Sequence, residues 1–310
     1  MIPTTRRPTL FGVPEGRLDD LRGASVVVIG APEATPYVRG LPSHSADAPG
    51  AIRLASERLA GQLRQHDFDL GDALFPGRED WRGVVDCGDL AVSAREPAAA
   101  NAAIRDAVAA IVAAGAVPIV LGGDDSLPVP ALEGFAGAGP VSVVQLDAHV
   151  DWGDRIMGER RGYGSPMRRA AEMPQVTAMA QIGIRGLGSG ERWQHDDARA
   201  WGSRIVTAAE FHRDGAAAAL AGLPDQPAVV AIDCDALDPA VFPAVAMPTP
   251  GGLTYEDAVA VLQATAARGR IAGLVLAEFV PERDPVFQPS GLIAARFTAV
   301  AIGLALKGRG

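Results

Sequence analysis

From about residue 25 onward, short β-branched runs alternate with Ala-rich stretches about eight times, and this alternation limits the possible folds more than any other feature. The strand candidates are ASVVVIG (24–30), GVVDCGD (83–89), AVPIVLGG (116–123), VSVVQLDAH (141–149), TAMAQIGIR (177–185), SRIVTA (203–208), AVVAIDCDALD (228–238) and IAGLVLAEFV (271–280). Between them lie helix candidates such as 51–63, 97–115, 254–269 and 291–307. The third has Thr254 placed as N-cap, Glu256 and Asp257 in its first turn and Gly269 at its end. Strand then helix, repeated, builds βαβ units, and near-continuous apolar strands fit a parallel sheet covered on both faces. The expectation is a single three-layer α/β/α domain over 24–310 with a mainly parallel sheet of about eight strands. Nothing in 310 residues compels a second domain. Residues 1–23, rich in Pro and Arg, read as an arm lying on the surface or on a neighbouring subunit.

A formal net charge of -9 argues against a nucleic-acid or anionic-membrane partner. Cys87 and Cys234 each sit in an apolar strand-like run, so they read as two reduced core thiols in a reducing compartment. The opening MIPTTRRPTLFG has no apolar segment of the signal-peptide kind. The apolar stretch from Leu292 to Leu306 carries Arg296, is too short to span a bilayer and reads as a buried helix. A soluble, cytoplasmic protein is expected.

In parallel sheets chemistry collects at the carboxyl ends of strands, and there this sequence places its unusual residues. LDAHVD carries Asp147, His149 and Asp151. In an extended chain positions i, i+2 and i+4 share one face, so two carboxylates and an imidazole converge on a site suited to a first-row divalent metal. AIDCDALDP repeats the pattern, with Asp233 and Asp235 on one face and Cys234 turned to the core. Paired buried carboxylates repel unless cations neutralise them. VLGGDDS delivers Asp124, Asp125 and Ser126 from a Gly122–Gly123 turn, with helix capping by Asp125 or Ser126 as the other reading. Glu278 stands in the otherwise apolar LAEFVP, either paired with a structural Arg or placed to receive a guanidinium.

Together these motifs resemble the arginase/agmatinase family of ureohydrolases. The family's GGDHS appears as GGDDS (122–126), DAHxD as Asp147–Asp151, and SxDxDxxDPxxxP as AIDCDALDPAVFP (231–243), with LAEFVP at 276–281. Weaker echoes are VIGAP (28–32), APGAIRLAS (48–56), VVDCGDL (84–90) and QIGIR (181–185). The resemblance implies an arginase-like fold and two divalent ions per subunit, manganese first and nickel second. It makes Asp147 and Asp233 bridging ligands, adds Asp151 and Asp125 to one ion, and adds His149 and Asp235 to the other. A hydroxide held between the metals would attack the guanidinium carbon, with Asp151 taking its proton and Glu278 holding the substrate guanidinium. Urea and an amine would leave. The family's assembly implies a homo-trimer or homo-hexamer.

Two positions depart from the family pattern. Asp125 replaces a metal-binding His, adding negative charge and making a weaker Lewis acid. In the loop after Asp151, Tyr163 stands where the family has a proton-shuttling His. Arg155, Arg160 and Arg161 of that loop read either as a solvated basic face or as a grip for a substrate carboxylate. His44, His66, His195 and His212 read as surface or structural residues. The leading expectation is an amidinohydrolase of a linear guanidine compound, whether agmatine, a guanidino acid, guanidine or a biguanide. The alternatives are a weakly active or non-catalytic subunit partnered with an active paralogue, and a single-metal deacetylase-like amide hydrolase.

Overall fold

Each of the eight apolar runs becomes a strand in the computed structural model, which describes residues 8–77, 79–188 and 190–308. They are β1 (Val26–Ala31), β2 (Val84–Asp89), β3 (Val117–Gly122), β4 (Val141–Leu146), β5 (Val176–Ile184), β6 (Arg204–Thr207), β7 (Ala228–Asp233) and β8 (Ile271–Ala277). All pair in parallel in one sheet of order β2-β1-β3-β8-β7-β4-β5-β6. Every residue of β1, β3, β4, β7 and β8 is buried, as strands covered on both faces must be. The edge strands β2 and β6 are partly exposed.

The helices are α1 (Ala48–Ser56), α2 (Pro97–Ala113), α3 (Pro128–Glu133), α4 (Pro166–Ala171), α5 (Arg192–Trp201), α6 (Ala208–Ala219), α7 (Tyr255–Arg268) and α8 (Pro289–Lys307). They cover two faces, and the period of two along β1 shows how the core divides. Val26 and Val28 pack with Ile52 of α1, Leu262 of α7 and Phe297 of α8. Val27 and Ile29 pack on the other face with Ile104 and Val108 of α2. Thr254 caps α7 as expected: its hydroxyl accepts the Asp257 amide at 3.1 Å, and the Asp257 carboxylate accepts the Thr254 amide at 2.9 Å. The helix expected at 51–63 starts earlier and ends at Ser56, where a one-turn helix at Glu57–Leu59 takes over.

Among the described helices only α8 is long and apolar enough to cross a membrane, but 72% of its most apolar window is buried within the fold. It is a core helix, as its sequence suggested. Cys87 and Cys234 are unbridged, the latter buried.

The N-terminal reading needs a correction. Residues 1–7 lie outside the described chain, but Leu10, Phe11 and Val13 are fully buried in the core beside α1 and α8. The Leu10 amide donates to Asp86 at 2.8 Å, the Phe11 amide donates to Ser56 Oγ at 2.8 Å, and Glu15 bridges Asp86 in parallel along the outer edge of β2. From Leu10 to Val13 the chain is no surface arm, because three apolar side chains within four residues gain more from burial than from solvent, whereas residues 14–23 are exposed or half-buried.

Candidate active site

Four consecutive central strands, β3, β8, β7 and β4, end at one edge of the sheet, about 4.8 Å apart from neighbour to neighbour. Each one delivers a carboxylate there. Asp125 follows β3, Glu278 follows β8, Asp233 ends β7 with Asp235 just beyond, and Asp147 follows β4. All five are at least nine-tenths buried.

The side chains converge by turns rather than by strand pleating. β4 ends at Leu146, and the Asp147 carboxylate accepts the His149 amide at 2.6 Å. Likewise Asp233 accepts the Asp235 amide at 2.7 Å as Cys234–Ala236 coils into one helical turn. These are Asx turns, in which a short carboxylate folds the backbone two residues on. Cys234 faces the core, as its position predicted. Asp151 and Glu278 sit at φ 50 and 64, a left-handed conformation that costs non-glycine residues roughly 1–3 kcal/mol and gathers at functional sites.

Two sets of three residues, Asp147 with His149 and Asp235, and Asp125 with Asp147 and Asp233, bring their ligand atoms within 4.8 Å of one another. Asp147 belongs to both sets. His149 Nδ1 lies 3.1 Å from Asp235 and 3.3 Å from Asp147. Burial opposes its charge, but these two carboxylates outweigh that and lift its pKa to about 11. Burial, and then mutual repulsion, push Asp125, Asp147, Asp151 and Asp233 well above the carboxylate range. Buried Oδ2 of Asp125 has no hydrogen-bond partner among the described residues. Such a cluster asks for cations.

The helix-capping reading of the Gly-Gly turn does not hold for Asp125 or Ser126. α3 has no side-chain cap, and the Ser126 hydroxyl instead donates to Asp124 at 2.5 Å and accepts the Thr35 amide at 2.9 Å. Gly123 is required by close approach, since a Cβ there would stand 2.4 Å from the Pro32 carbonyl.

Beneath the cluster runs a buried amide relay that the sequence reading missed. Gln145 donates to Asp147 at 2.6 Å and to Asp151 at 3.3 Å. Its carbonyl accepts from Gln181 at 2.7 Å, and the Gln181 carbonyl accepts from Ser203 at 2.8 Å. The legible signal was a polar residue inside an apolar strand, two positions before Asp147.

Above the cluster opens a cavity of about 370 Å³, lined by Asp125, Asp151, Asp233, Asp235 and Glu278 with Ile156, Tyr163, Gln194, Met247 and His44. Tyr163 is half-exposed, and burial followed by the charges of Glu278 and Asp124 raises its phenol pKa. His44 was expected at the surface or in a structural role; it is exposed, and it also lines this cavity, with its Nε2 2.5 Å from Glu278 Oε2. The long loop after β1 carries it in from outside every site motif, which is why the motifs gave no hint. Among the described residues no Arg pairs with Glu278, whose partners are His44 and the Asp125 amide. His66, His195 and His212 do lie at the surface or partly exposed, away from the cavity lining. The three loop arginines are engaged elsewhere: Arg155 with the Gly158 carbonyl, Arg160 with Asp154 and Glu172, and Arg161 with Glu133.

Residues 24–303 match the model of the Arginase family. The chain is 35% identical over 255 residues to proclavaminate amidinohydrolase of Streptomyces clavuligerus, covering 78% of this chain and 76% of that one. It is also 35% identical over 248 residues to formimidoylglutamase of Halobacterium salinarum, covering 77% and 75%. The solved structure of the Streptomyces clavuligerus amidinohydrolase superposes with a TM-score of 0.82 at 30% identity, over 98% of both chains.

Proposed function

Because the chain belongs to the arginase family, we propose that it is a dinuclear metal-dependent amidinohydrolase that cleaves a guanidine-type C–N bond to urea and an amine. One observation carries the reading above others: two ligand sets that share Asp147 at the ends of the central strands. Shared carboxylates are what a closely spaced cation pair needs. The donor set of carboxylates and one imidazole suits manganese, with nickel as the alternative.

Asp125, Asp147 and Asp233 would hold one ion, with Asp151 beside them, and Asp147, His149 and Asp235 the other. The bound pair supplies Lewis acidity and a water made acidic near neutral pH. Asp151, aimed inward by its left-handed backbone and held by Gln145, accepts the proton of the attacking water. Glu278, fixed by the Asp125 amide at 2.9 Å, receives the guanidinium, whose planar fork matches a carboxylate. Tyr163 closes one side of the cavity.

Shared ligands favour two ions over the single-metal amide hydrolase. The motif resemblance implies that the chain forms a homo-trimer or homo-hexamer, or joins a paralogue, in the cytoplasm. The deciding experiment is a urea-release screen over agmatine, guanidino acids, guanidine and biguanides with manganese and with nickel. Urea from at least one compound is expected. Silence throughout, with metal bound, would favour the non-catalytic subunit.

A further inference from the structure

The seat assigned to the substrate's guanidinium already has an occupant. Glu278 is buried, and both its oxygens are engaged: Oε1 by the Asp125 amide at 2.9 Å and Oε2 by His44 Nε2 at 2.5 Å. His44 is itself held in place. Its ring meets Tyr163 edge-on at 5.9 Å, and Tyr163 packs on Tyr37 at 4.3 Å, so three rings form a column over the carboxylate. Both His44 and Glu278 line the cavity. An imidazolium and a guanidinium present the same chemistry to a carboxylate, a cation with an N–H donor, and the Oε2 edge has room for one fork at a time.

We propose that His44 is an internal occupant of the guanidinium seat, which a cationic substrate enters by displacing the imidazolium from Glu278. This rests on Glu278 being that seat. In the displacement the His44–Glu278 hydrogen bond breaks and the guanidinium N–H bonds to Oε2 replace it. The imidazole then turns to the cavity and gives up its proton to solvent. The seat is thereby closed to neutral amides, which cannot repay the lost ion pair, and opened to guanidinium ions.

The charged and titratable groups facing His44 are Glu278 after β8, Asp124 after β3, Tyr163 in the loop after β4 and Arg283 beyond Glu278. The Glu278 hydrogen bond chiefly raises the His44 pKa, with burial opposing and Arg283 a smaller opposing charge. The sign follows. The free chain keeps the His44 proton to a higher pH than the bound chain, so between the two pKa values binding releases a proton and affinity climbs with pH. Linkage limits the climb to about tenfold per pH unit, and it levels off above the pKa of the free chain.

The experiment is calorimetric titration of the metal-loaded protein with methylguanidine in buffers of differing ionisation enthalpy, from pH 5.5 to 8.5. It is run for wild type, His44→Gln and Glu278→Gln, with urea assayed in parallel. Wild type should release close to one proton within the window. His44→Gln should lose that release, bind with nearly flat pH dependence and gain affinity at the acidic end. The His44 ring resonances should titrate at lower pH in Glu278→Gln than in wild type. Equal proton release by wild type and His44→Gln would overturn the proposal, and so would failure of methylguanidine to bind either protein. Urea formed without proton linkage would overturn it and leave the amidinohydrolase reading standing. Proton-linked binding without urea from any guanidine would do the reverse.

Discussion

Asp147 has more required of it than any other side chain in the molecule. It terminates β4, accepts the His149 amide and the Gln145 amide, and is common to both ligand sets. Asp147→Ala is therefore expected to lose metal from both sets, and Asp235→Ala from one. Elemental analysis per chain decides this, and two ions retained by Asp147→Ala would refute the assignment. Stability should move the other way in metal-free protein. An acid whose folded pKa is raised costs stability as pH rises above its unfolded value of about 4. Asp147→Asn removes one of these buried acids, so in urea unfolding at pH 8 the metal-free variant should be more stable than metal-free wild type by about 1–3 kcal/mol. The gap should close toward pH 4. Asp125 allows a second test: Asp125→His replaces a carboxylate by a neutral imidazole, so the acidic limb of the pH–rate profile should shift to lower pH. An unchanged or higher limb at full metal content would show that Asp125 does not set it.

Away from the cluster, ion pairs tie loops to helices. In α8 the otherwise apolar run carries Arg296, which forks onto Asp67 at 2.5 and 3.0 Å and reaches Asp69 at 2.5 Å. Asp69 also accepts the Tyr255 hydroxyl at 2.6 Å, so one arginine ties the 67–69 loop to α7 and α8. Burial pushes Asp67 up, but the hydrogen bond and charge of Arg296 outweigh it and hold the carboxyl below its usual range. A lowered folded pKa gives stability that is present above the unfolded value of about 4 and lost as pH falls through the folded one. Arg296→Met should cost about 2 kcal/mol at pH 7, a cost that shrinks steadily between pH 5 and 3. Urea unfolding of both proteins across that range measures it, and a pH-independent cost would mean that packing, not charge, is what Arg296 contributes.

Assembly and metal content concern the molecule as a whole. Phe68, Leu187, Val286 and Phe287 are large apolar side chains left more than four-fifths exposed, surface that association would cover. Light scattering at micromolar concentration is expected to give a trimer or hexamer, and a stable monomer would contradict it. Metal should raise the melting temperature, because ions that bind only the folded cluster stabilise it by mass action.

The sequence by itself determined the sheet, since apolar β-branched runs separated by helical stretches have one economical burial. It also named the carboxylates, because Asp at the end of an apolar strand has few structural uses. Local pattern carried Thr254 and the burial of α8 for the same reason: neighbours within four residues settle both. Tertiary structure decided what depends on distant chain segments. Leu10, Phe11 and Val13 enter a core assembled from α1 and α8, elements distant in the chain, so a Pro- and Arg-rich opening gave no sign of it. Gln181 meets Gln145 only because β5 lies beside β4. His44 reaches Glu278 across 234 positions, since β3 brings the loop after β1 next to the end of β8. A histidine in a polar loop carries no periodicity, and only the sheet order gives it a partner.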